Sequence, residues 1–216
     1  MKNSCTDATK GYRLASWIYD PVVERFMSRV RERTLEIANL KPGHSLLDIC
    51  CGTGTQAELF SRTGARVSGI ELSGFMIAKA KRKENEHLTF TQADATATGF
   101  GDSMFDFATT GFSLHEVEEP IRDGFLNEMI RVTKPGGALI FTDFSVQTGN
   151  GFRNRARKAV AHFAEWFAGA EHFRNYQAWM NLGGLDAYLD GKGLPIQTQS
   201  PLNGGHILIA KVVNFK

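Results

Sequence analysis

Short apolar runs alternate with amphipathic segments through the middle of the chain. The runs that are apolar enough to form buried strands are Ser45–Cys50, Arg66–Glu71, Leu88–Gln92, Phe105–Thr110 and Ala138–Phe144. The segments with helical spacing between them are Gln56–Arg62, Phe75–Lys83 and Pro120–Val132. Because strands and helices alternate, the pattern predicts an α/β fold, with a mostly parallel sheet covered by helices on both faces.

Both ends of the chain depart from this alternation. Residues Tyr12–Leu40 predict one or two helices, and Asp20-Pro21 begins the second, since proline is tolerated in a first helical turn. The stretch Gly149–Gly193 is longer than an ordinary connection and has a helical pattern, so it predicts an inserted cap. Two strand-like runs, Pro195–Ser200 and His206–Val213, flank a glycine-rich turn. They predict a closing hairpin, which requires at least one antiparallel strand.

Length and composition narrow the class of protein. A chain of 216 residues suits one domain, so we expect a single unit over residues 1–216 with a helical N-terminal lid over residues 1–40. The net charge of +2 gives no field that points to nucleic acid, and no apolar run reaches bilayer length. Residues Met1–Lys10 lack a signal-peptide pattern, and the odd cysteine count fits a reducing cytoplasm. We therefore expect a cytoplasmic protein without a metal site, and the sequence does not indicate an oligomeric state.

The segment Leu46–Ala57 predicts a strand, a tight turn and a helix start. Gly52 and Gly54 allow the backbone to turn sharply and a ligand to approach closely. The first turn of the following helix leaves unpaired N–H groups that face such a ligand. The spacing Gly52-x-Gly54-x-x-Ala57 also fits the dinucleotide pattern, so this turn alone leaves NAD binding open.

Acidic residues after three successive strands favour S-adenosylmethionine (SAM) over NAD. Asp48 precedes the glycines, where a carboxylate repels a pyrophosphate but suits the ammonium group of SAM. Glu71 ends the next strand and can accept hydrogen bonds from ribose hydroxyls in either cofactor. After the third strand, Asp94 can accept from the adenine amine, while the Ala95 N–H faces a ring nitrogen.

The same residues carry a resemblance to a known family. The segments Leu47–Thr55, Glu71, Asp94-Ala95, Phe105–Val117 and Thr133–Phe141 resemble those of class I SAM-dependent methyltransferases, in the small-molecule branch with the ubiquinone and menaquinone C-methyltransferases. The resemblance implies a Rossmann-like, doubly wound sheet of seven strands with a reversed last strand. It also implies in-line methyl transfer from SAM to a small acceptor, for which the aromatic run in the cap predicts an apolar or aromatic molecule.

The resemblance extends to individual site residues. The residues expected at the cofactor are Tyr19, Asp48, Cys50, Gly52, Gly54, Glu71, Leu72, Met76, Asp94, Ala95, Gly111 and Phe112. Trp17 of the N-terminal lid is expected in the substrate pocket. The resemblance does not cover the cap, where the aromatic run itself adds His162, Trp166 and Tyr176 to that pocket. His115 is the candidate base, because the unperturbed pKa of a histidine side chain lies near operating pH. Plainer interpretations remain beside these: Met76 as core, Asp94 as a turn cap and His115 as a structural residue.

Three further alternatives remain open at this point. An NAD(P)-dependent oxidoreductase would share the glycine turn and Glu71 but leaves Asp48 and Asp94 unexplained. A SAM-binding protein without transfer activity would keep the same motifs. The basic residues Arg153, Arg155, Arg157 and Lys158 fit either a solvated helix face or a surface for an anionic substrate or membrane. Peripheral membrane contact is the less favoured interpretation, and nucleic acid lacks a recognisable binding module.

Overall fold

The computed structural model describes residues 21–146 and 169–216, and the side chains from Met27 onward within them. Its strands are β1 (Ser45–Ile49), β2 (Arg66–Glu71), β3 (Leu88–Gln92), β4 (Phe105–Gly111), β5 (Thr133–Phe144), β6 (Ile196–Leu202) and β7 (Ile207–Val213). Its helices are α1 (Pro21–Ala38), α2 (Thr55–Ser61), α3 (Gly74–Ala80), α4 (Glu119–Val132), α5 (Ala170–Leu182) and α6 (Gly184–Gly191). Of these helices, none is both long and apolar enough to cross a membrane.

All seven strands form one sheet in the order β3-β2-β1-β4-β5-β7-β6. The pairs among β1 to β5 are parallel, while β7 runs antiparallel to both β5 and β6. The predicted fold class, with its reversed last strand, is therefore confirmed. The strand order reverses between β1 and β4, and in such sheets the crevice for a ligand opens beyond the carboxyl ends at that point.

The central strands are buried on both faces. In β1, Leu46, Leu47 and Ile49 have no exposed surface, and the same holds for Leu139 and Ile140 in β5. Helices on the two faces of the sheet make this necessary, because every side chain of a central parallel strand then points into a packed layer. This double burial explains why these strands are read as continuous apolar runs in the sequence.

Helix α1 lies against the carboxyl edge of the sheet. Thr34 Oγ1 is 3.1 Å from Thr142 Oγ1 of β5, and Arg33 Nε donates to Ser200 Oγ of β6 at 2.8 Å. The described part of the predicted N-terminal lid is thus fixed to the sheet. Residues 1–20, which complete that lid, lie outside the described residues.

The described part of the predicted cap belongs to the core of the sheet. Trp179 of α5 is fully buried and its Nε1 donates to the carbonyl of Phe144 at 2.9 Å. Ser145 Oγ donates to Asp186 at 2.8 Å, and Ser145 also forms an isolated bridge with Gly184. Helices α5 and α6 are therefore bonded to the end of β5 and form part of the core, rather than only covering the sheet.

Strand β5 begins earlier than the sequence predicts, at Thr133 instead of Ala138. Phe105 pairs with Thr133 and Phe107 pairs with Ala138, so the register shifts between these pairs and the intervening glycines are accommodated as a bulge. The backbone there is held by the C-terminal segment, since Gly136 N donates to Asn214 O at 2.8 Å. The pattern Lys134–Gly137 ends helix α4, as predicted, but it lies within the strand.

The turn after β1 depends on two glycines with different surroundings. Gly52 and Gly54 both have positive φ, at +56° and +75°. A Cβ added at Gly54 would lie 2.4 Å from Phe90 Cζ, whereas one added at Gly52 would meet nothing within 4 Å. Gly54 is thus required by packing against β3, while Gly52 leaves the inner side of the turn open.

Alanine substitution should separate these two requirements. We expect Gly52→Ala to cost about 1–2 kcal/mol, the strain of a left-handed L-residue. Gly54→Ala should cost a further ~1–3 kcal/mol, because Phe90 must move as well. Urea unfolding of both variants and the wild type measures this, and equal losses would contradict the packing role of Gly54.

Candidate functional site

A cleft of about 150 Å³ opens at the carboxyl ends of β1 and β4. Its wall is built by helix α1, the glycine turn, the end of β4 and the end of β5, and includes Arg31, Thr34, Asp48, Cys50, Phe112 and Thr142. The cleft lies where the strand order reverses, the position expected for a ligand in this class of sheet. Asp48, Cys50, Gly111 and Phe112, all predicted from the sequence, line it together.

Asp48 is a buried carboxyl group on the wall of this cleft. It is 3 % exposed, and its Oδ2 has no hydrogen-bond partner within the part of the chain that the structure describes. Burial, followed by the charge of Glu71, raises the pKa of Asp48 to about 8. A buried carboxylate without a partner is costly, so this position favours a ligand that brings a positive charge.

Glu71 ties two turns together at the end of β2. Its Oε2 accepts from Gly52 N at 3.1 Å, and its Oε1 accepts from Ser73 N at 2.8 Å. The carboxylate therefore lies directly over the glycine turn. Its two oxygens can receive a pair of hydroxyl donors from a ligand that replaces or shares these contacts.

Lys83 supports the outer side of the same turn, which the sequence interpretation missed. Its Nζ donates to Thr53 O at 2.9 Å and to Thr55 Oγ1 at 2.8 Å. The ammonium also lies 3.8 Å from Glu58 in α2. Only the basic end of the segment after β2 hints at this contact, because nothing in the spacing connects Lys83 to the glycine turn.

The residues predicted around an adenine ring lie after β2 and β3. Asp94 is exposed, and its Oδ1 accepts from Thr96 N and Thr96 Oγ1, both at 2.8 Å. Asp94 therefore caps a local turn, while neither of these bonds uses its Oδ2. Ala95 is buried, Met76 is half-buried on α3, and Leu72 is 47 % exposed. Their contact with a cofactor stays a prediction.

Cys50 and Cys51 are free thiols beside these carboxylates. Burial and then the charges of Glu71, Glu116 and Asp48 hold the pKa of the Cys50 thiol well above its usual range. Burial, followed by the charges of Asp48 and Glu71, also raises the pKa of the Cys51 thiol. Both side chains are thus neutral thiols at physiological pH, which makes them small, uncharged wall groups and poor nucleophiles.

His115 lies in the loop after β4 and is 2 % exposed. Its Nδ1 is 2.7 Å from Asp143 Oδ1, and this carboxylate also accepts from the backbone N–H groups of Leu114 and Phe144. Because the Asp143 carboxylate can only accept, Nδ1 of His115 donates to it and carries a ring proton, and Nε2 is the ring nitrogen that this bond does not use. Asp143 was missed by sequence analysis, since it is one acidic residue inside an apolar strand.

The loop that carries His115 is held by helix α4. Arg122 donates from Nε to Leu114 O and from a terminal nitrogen to Val117 O, both at 2.8 Å. The guanidinium also stacks over the Trp179 ring at 4.7 Å. This buried arginine links the loop to the core of the insertion and limits its movement.

Aromatic side chains surround His115. Its ring centroid is 4.8 Å from that of Phe144 and 6.0 Å from that of Tyr176, both edge-on. Phe144 in turn meets Phe112 at 5.7 Å, and Phe112 lines the cleft. Tyr176, predicted in the substrate pocket, thus lies behind Phe144 in a buried aromatic layer. The other predictions, Trp17, Tyr19, His162 and Trp166, and the basic residues 153–158 lie outside the described residues.

Comparison with known proteins agrees with this geometry. Residues 47–141 match the family model described as a methyltransferase domain. Demethylmenaquinone methyltransferase from Renibacterium salmoninarum is 32% identical over 190 residues, which cover 84% of this chain and 79% of the relative. The enzyme of the same name from Paenarthrobacter aurescens is also 32% identical, over 84% of this chain and 74% of its own length.

Solved structures share the fold at lower sequence identity. A SAM-dependent methyltransferase from Aquifex aeolicus has a TM-score of 0.61 at 19% identity, covering 95% of this chain and 97% of its own. Geranyl diphosphate methyltransferase, solved in complex with GPP and sinefungin, has a TM-score of 0.63 at 18% identity, covering 88% and 80%. These likenesses establish the fold.

The buried carboxyl of Asp48 should leave a signature in the pH dependence of stability. Its pKa in the folded protein, about 8, exceeds the value of 3.8 for a free carboxyl, so the folded state holds the proton more tightly. As pH rises through this window, the wild type should lose unfolding free energy relative to Asp48→Asn, by at most about 1.4 kcal/mol per pH unit.

Urea unfolding of the two proteins between the two pKa values measures this difference. The asparagine variant is close in shape and cannot ionise, which makes it the matched control. Parallel pH profiles for the two proteins would contradict the raised pKa of Asp48.

Proposed function

This chain belongs to the class I SAM-dependent methyltransferases, and we propose that its acceptor is a hydroxylated aromatic molecule of the quinol type. It transfers a methyl group from SAM to a small molecule. None of the relatives or structures above supports an NAD(P)-dependent oxidoreductase or a SAM-binding protein without transfer activity.

The chemistry of the cleft fits the amino-acid end of SAM. Asp48 supplies a buried carboxyl whose Oδ2 is unpartnered in the described structure, and an ammonium group is the ligand that would satisfy it. Gly52 meets nothing within 4 Å on the side where a Cβ would stand, so a ligand can approach the backbone there. When bound, SAM supplies an electrophilic methyl group on a sulfonium.

We assign the remaining cofactor contacts along the ends of β2 to β4. Glu71 holds the ribose hydroxyls, Asp94 receives the adenine amine through the oxygen that its turn leaves unused, and Ala95 offers its N–H. Leu72 and Met76 cover the adenine ring. Gly111 and Phe112 border the region where the methyl group leaves. Support for this assignment comes from the common edge that these strand ends share.

The acceptor proposal depends above all on the buried His115–Asp143 pair within an aromatic layer. A quinol or phenol must lose a hydroxyl proton for its ring or oxygen to become nucleophilic, and His115 acts at that hydroxyl. Asp143 is a positioning residue, because it keeps Nδ1 protonated and fixes the ring. Phe112 and Phe144 match the flat apolar ring of such an acceptor. The two relatives' names, demethylmenaquinone methyltransferase, point to the same class of acceptor.

We further propose a cytoplasmic location and a single domain with a helical lid and cap. The two cysteines of the described region are free thiols, which fits a reducing compartment. Helices α5 and α6 share the core of the sheet, which supports a single unit.

Calorimetry with S-adenosylhomocysteine tests the cofactor assignment. Because Asp48 is mostly protonated at pH 7 without ligand, its pairing with the ligand ammonium should release most of one proton. Titrations in two buffers of different ionisation enthalpy count this proton. Asp48→Asn should bind more weakly and release none, whereas Asp94→Asn should bind more weakly but release the same proton. Failure of the wild type to bind at high micromolar ligand would sink the proposal.

Turnover tests the acceptor assignment. Among quinol, phenol, amine and lipid acceptors, the hydroxylated aromatics should react fastest. His115→Ala should lower kcat by about 10²–10⁴-fold on the best acceptor, because it removes the group at the hydroxyl. Its affinity for S-adenosylhomocysteine should be little changed, and this serves as the control for folding. A preference for amines, or an unchanged kcat, would contradict the proposal.

A further inference from the structure

Three side chains with metal-binding atoms meet beside the candidate active site. His115 and Glu116 follow β4, and His172 lies in the first turn of α5. Their ligand atoms all lie within 4.8 Å of one another. Two imidazoles and one carboxylate are a ligand set that binds Zn²⁺ and related divalent ions while leaving positions open for another molecule. Binding of SAM does not require any of these three side chains.

The His115 ring is already oriented as a metal ligand requires. Histidine ligands of metals almost always donate their second ring N–H to a carboxylate or carbonyl, which fixes the tautomer. Asp143 Oδ1 accepts a hydrogen bond from the Nδ1 N–H of His115 at 2.7 Å. Nε2 is therefore the ligand atom that this ring presents to a metal ion. Asp143 is itself held by two backbone donors, from Leu114 and Phe144.

The docking of α5 brings His172 to the other two ligands. Asn175 Nδ2 donates to the carbonyl of Glu116 at 2.8 Å, which joins the helix to the loop. Tyr176 packs against Phe144 at 5.3 Å and anchors the same helical turn. The rings of His115 and His172 then stand almost perpendicular, with centroids 5.7 Å apart. The two rings are therefore edge-on rather than stacked, with their ligand atoms within 4.8 Å of each other.

The cluster adjoins the cleft. The His115 ring packs against Phe144 at 4.8 Å, Phe144 packs against Phe112 at 5.7 Å, and Phe112 lines the cleft. Ligand atoms around a bound zinc ion stand about 3–3.5 Å apart, given metal–ligand distances near 2.1 Å. Side-chain rotations that move each ligand atom by about 1 Å bring the observed separations of up to 4.8 Å to that range.

We propose that His115, Glu116 and His172 bind one divalent transition-metal ion, which takes the hydroxyl oxygen of the acceptor as a further ligand. His115 then acts at that hydroxyl through the ion and does not itself take up the proton. The acceptor part of this inference rests on the proposed function above. At the ion, the O–H bond of the acceptor breaks, its proton passes to solvent, and the oxygen binds as an oxyanion. The ion exchanges no electrons. Methyl transfer then forms the new bond to the acceptor and breaks the carbon–sulfur bond of SAM.

Metal binding is measured first, without SAM or acceptor. Protein stripped with a chelator is titrated with Zn²⁺ in a calorimeter, and Co²⁺ absorption reports the coordination. We expect one ion per chain, with Co²⁺ bands of a low-coordinate site. His172→Ala and Glu116→Gln should weaken Zn²⁺ binding at least tenfold, and Asp143→Asn by about 10–100-fold through the His115 orientation. His87→Ala, an exposed histidine outside the cluster, is the control and should bind as the wild type does.

Binding of S-adenosylhomocysteine to the same samples separates the two proposals. It should persist in the stripped protein and in His172→Ala, which also shows that they are folded. Zn²⁺ binding that is absent, or that is unaffected by both His172→Ala and Glu116→Gln, overturns the metal site even if the cofactor binds normally. If Zn²⁺ binds as expected but the stripped enzyme methylates a quinol at the full rate, the role of the ion at the acceptor is overturned.

Discussion

Parallel pairing of β1 with both β2 and β4 is the constraint on which the site depends. It forces the carboxyl ends of these strands to one edge, and the reversal of strand order opens the cleft between them. Asp48, Glu71 and Phe112 are far apart in sequence but each is the last or nearly the last residue of its strand or follows it directly. Because β1 and β2 are paired, the charge of Glu71 lies close enough to Asp48 to help raise its pKa.

The half of the site that follows this rule could be predicted from the sequence. Every strand that was expected is present, and the glycine turn with Asp48 lies where its spacing indicated. The reason is local: an apolar run, two glycines and an acidic residue at a strand end each carry their own physical signal. The bulge at the start of β5 could not be foreseen, because it arises from pairing with β4 and from Asn214 near the end of the chain.

The residues that sequence analysis missed share a different property. Asp143, Lys83 and Arg122 act through contacts with segments far away along the chain, and each is an ordinary residue of its own helix, turn or strand. His172 is similar. It lies within the aromatic run of the predicted cap, whose composition indicates an apolar surface and not the metal ligand proposed for this residue. Such roles depend on tertiary packing, which periodicity does not encode. Asp143, Arg122 and His172 lie on the proposed acceptor side, whereas Lys83 holds the glycine turn.

The hydrogen bond from Trp179 to the end of β5 bears on how acceptor specificity can change in such a protein. Because α5 and α6 complete the hydrophobic core, this pair of helices cannot be exchanged for that of a relative without changing the core itself. Replacing both helices together would remove the hydrogen bond from Trp179 to Phe144 at the end of β5. Asp143, the carboxylate that orients His115, is the residue next to Phe144. New specificity is therefore more readily acquired by single replacements that leave these core contacts in place.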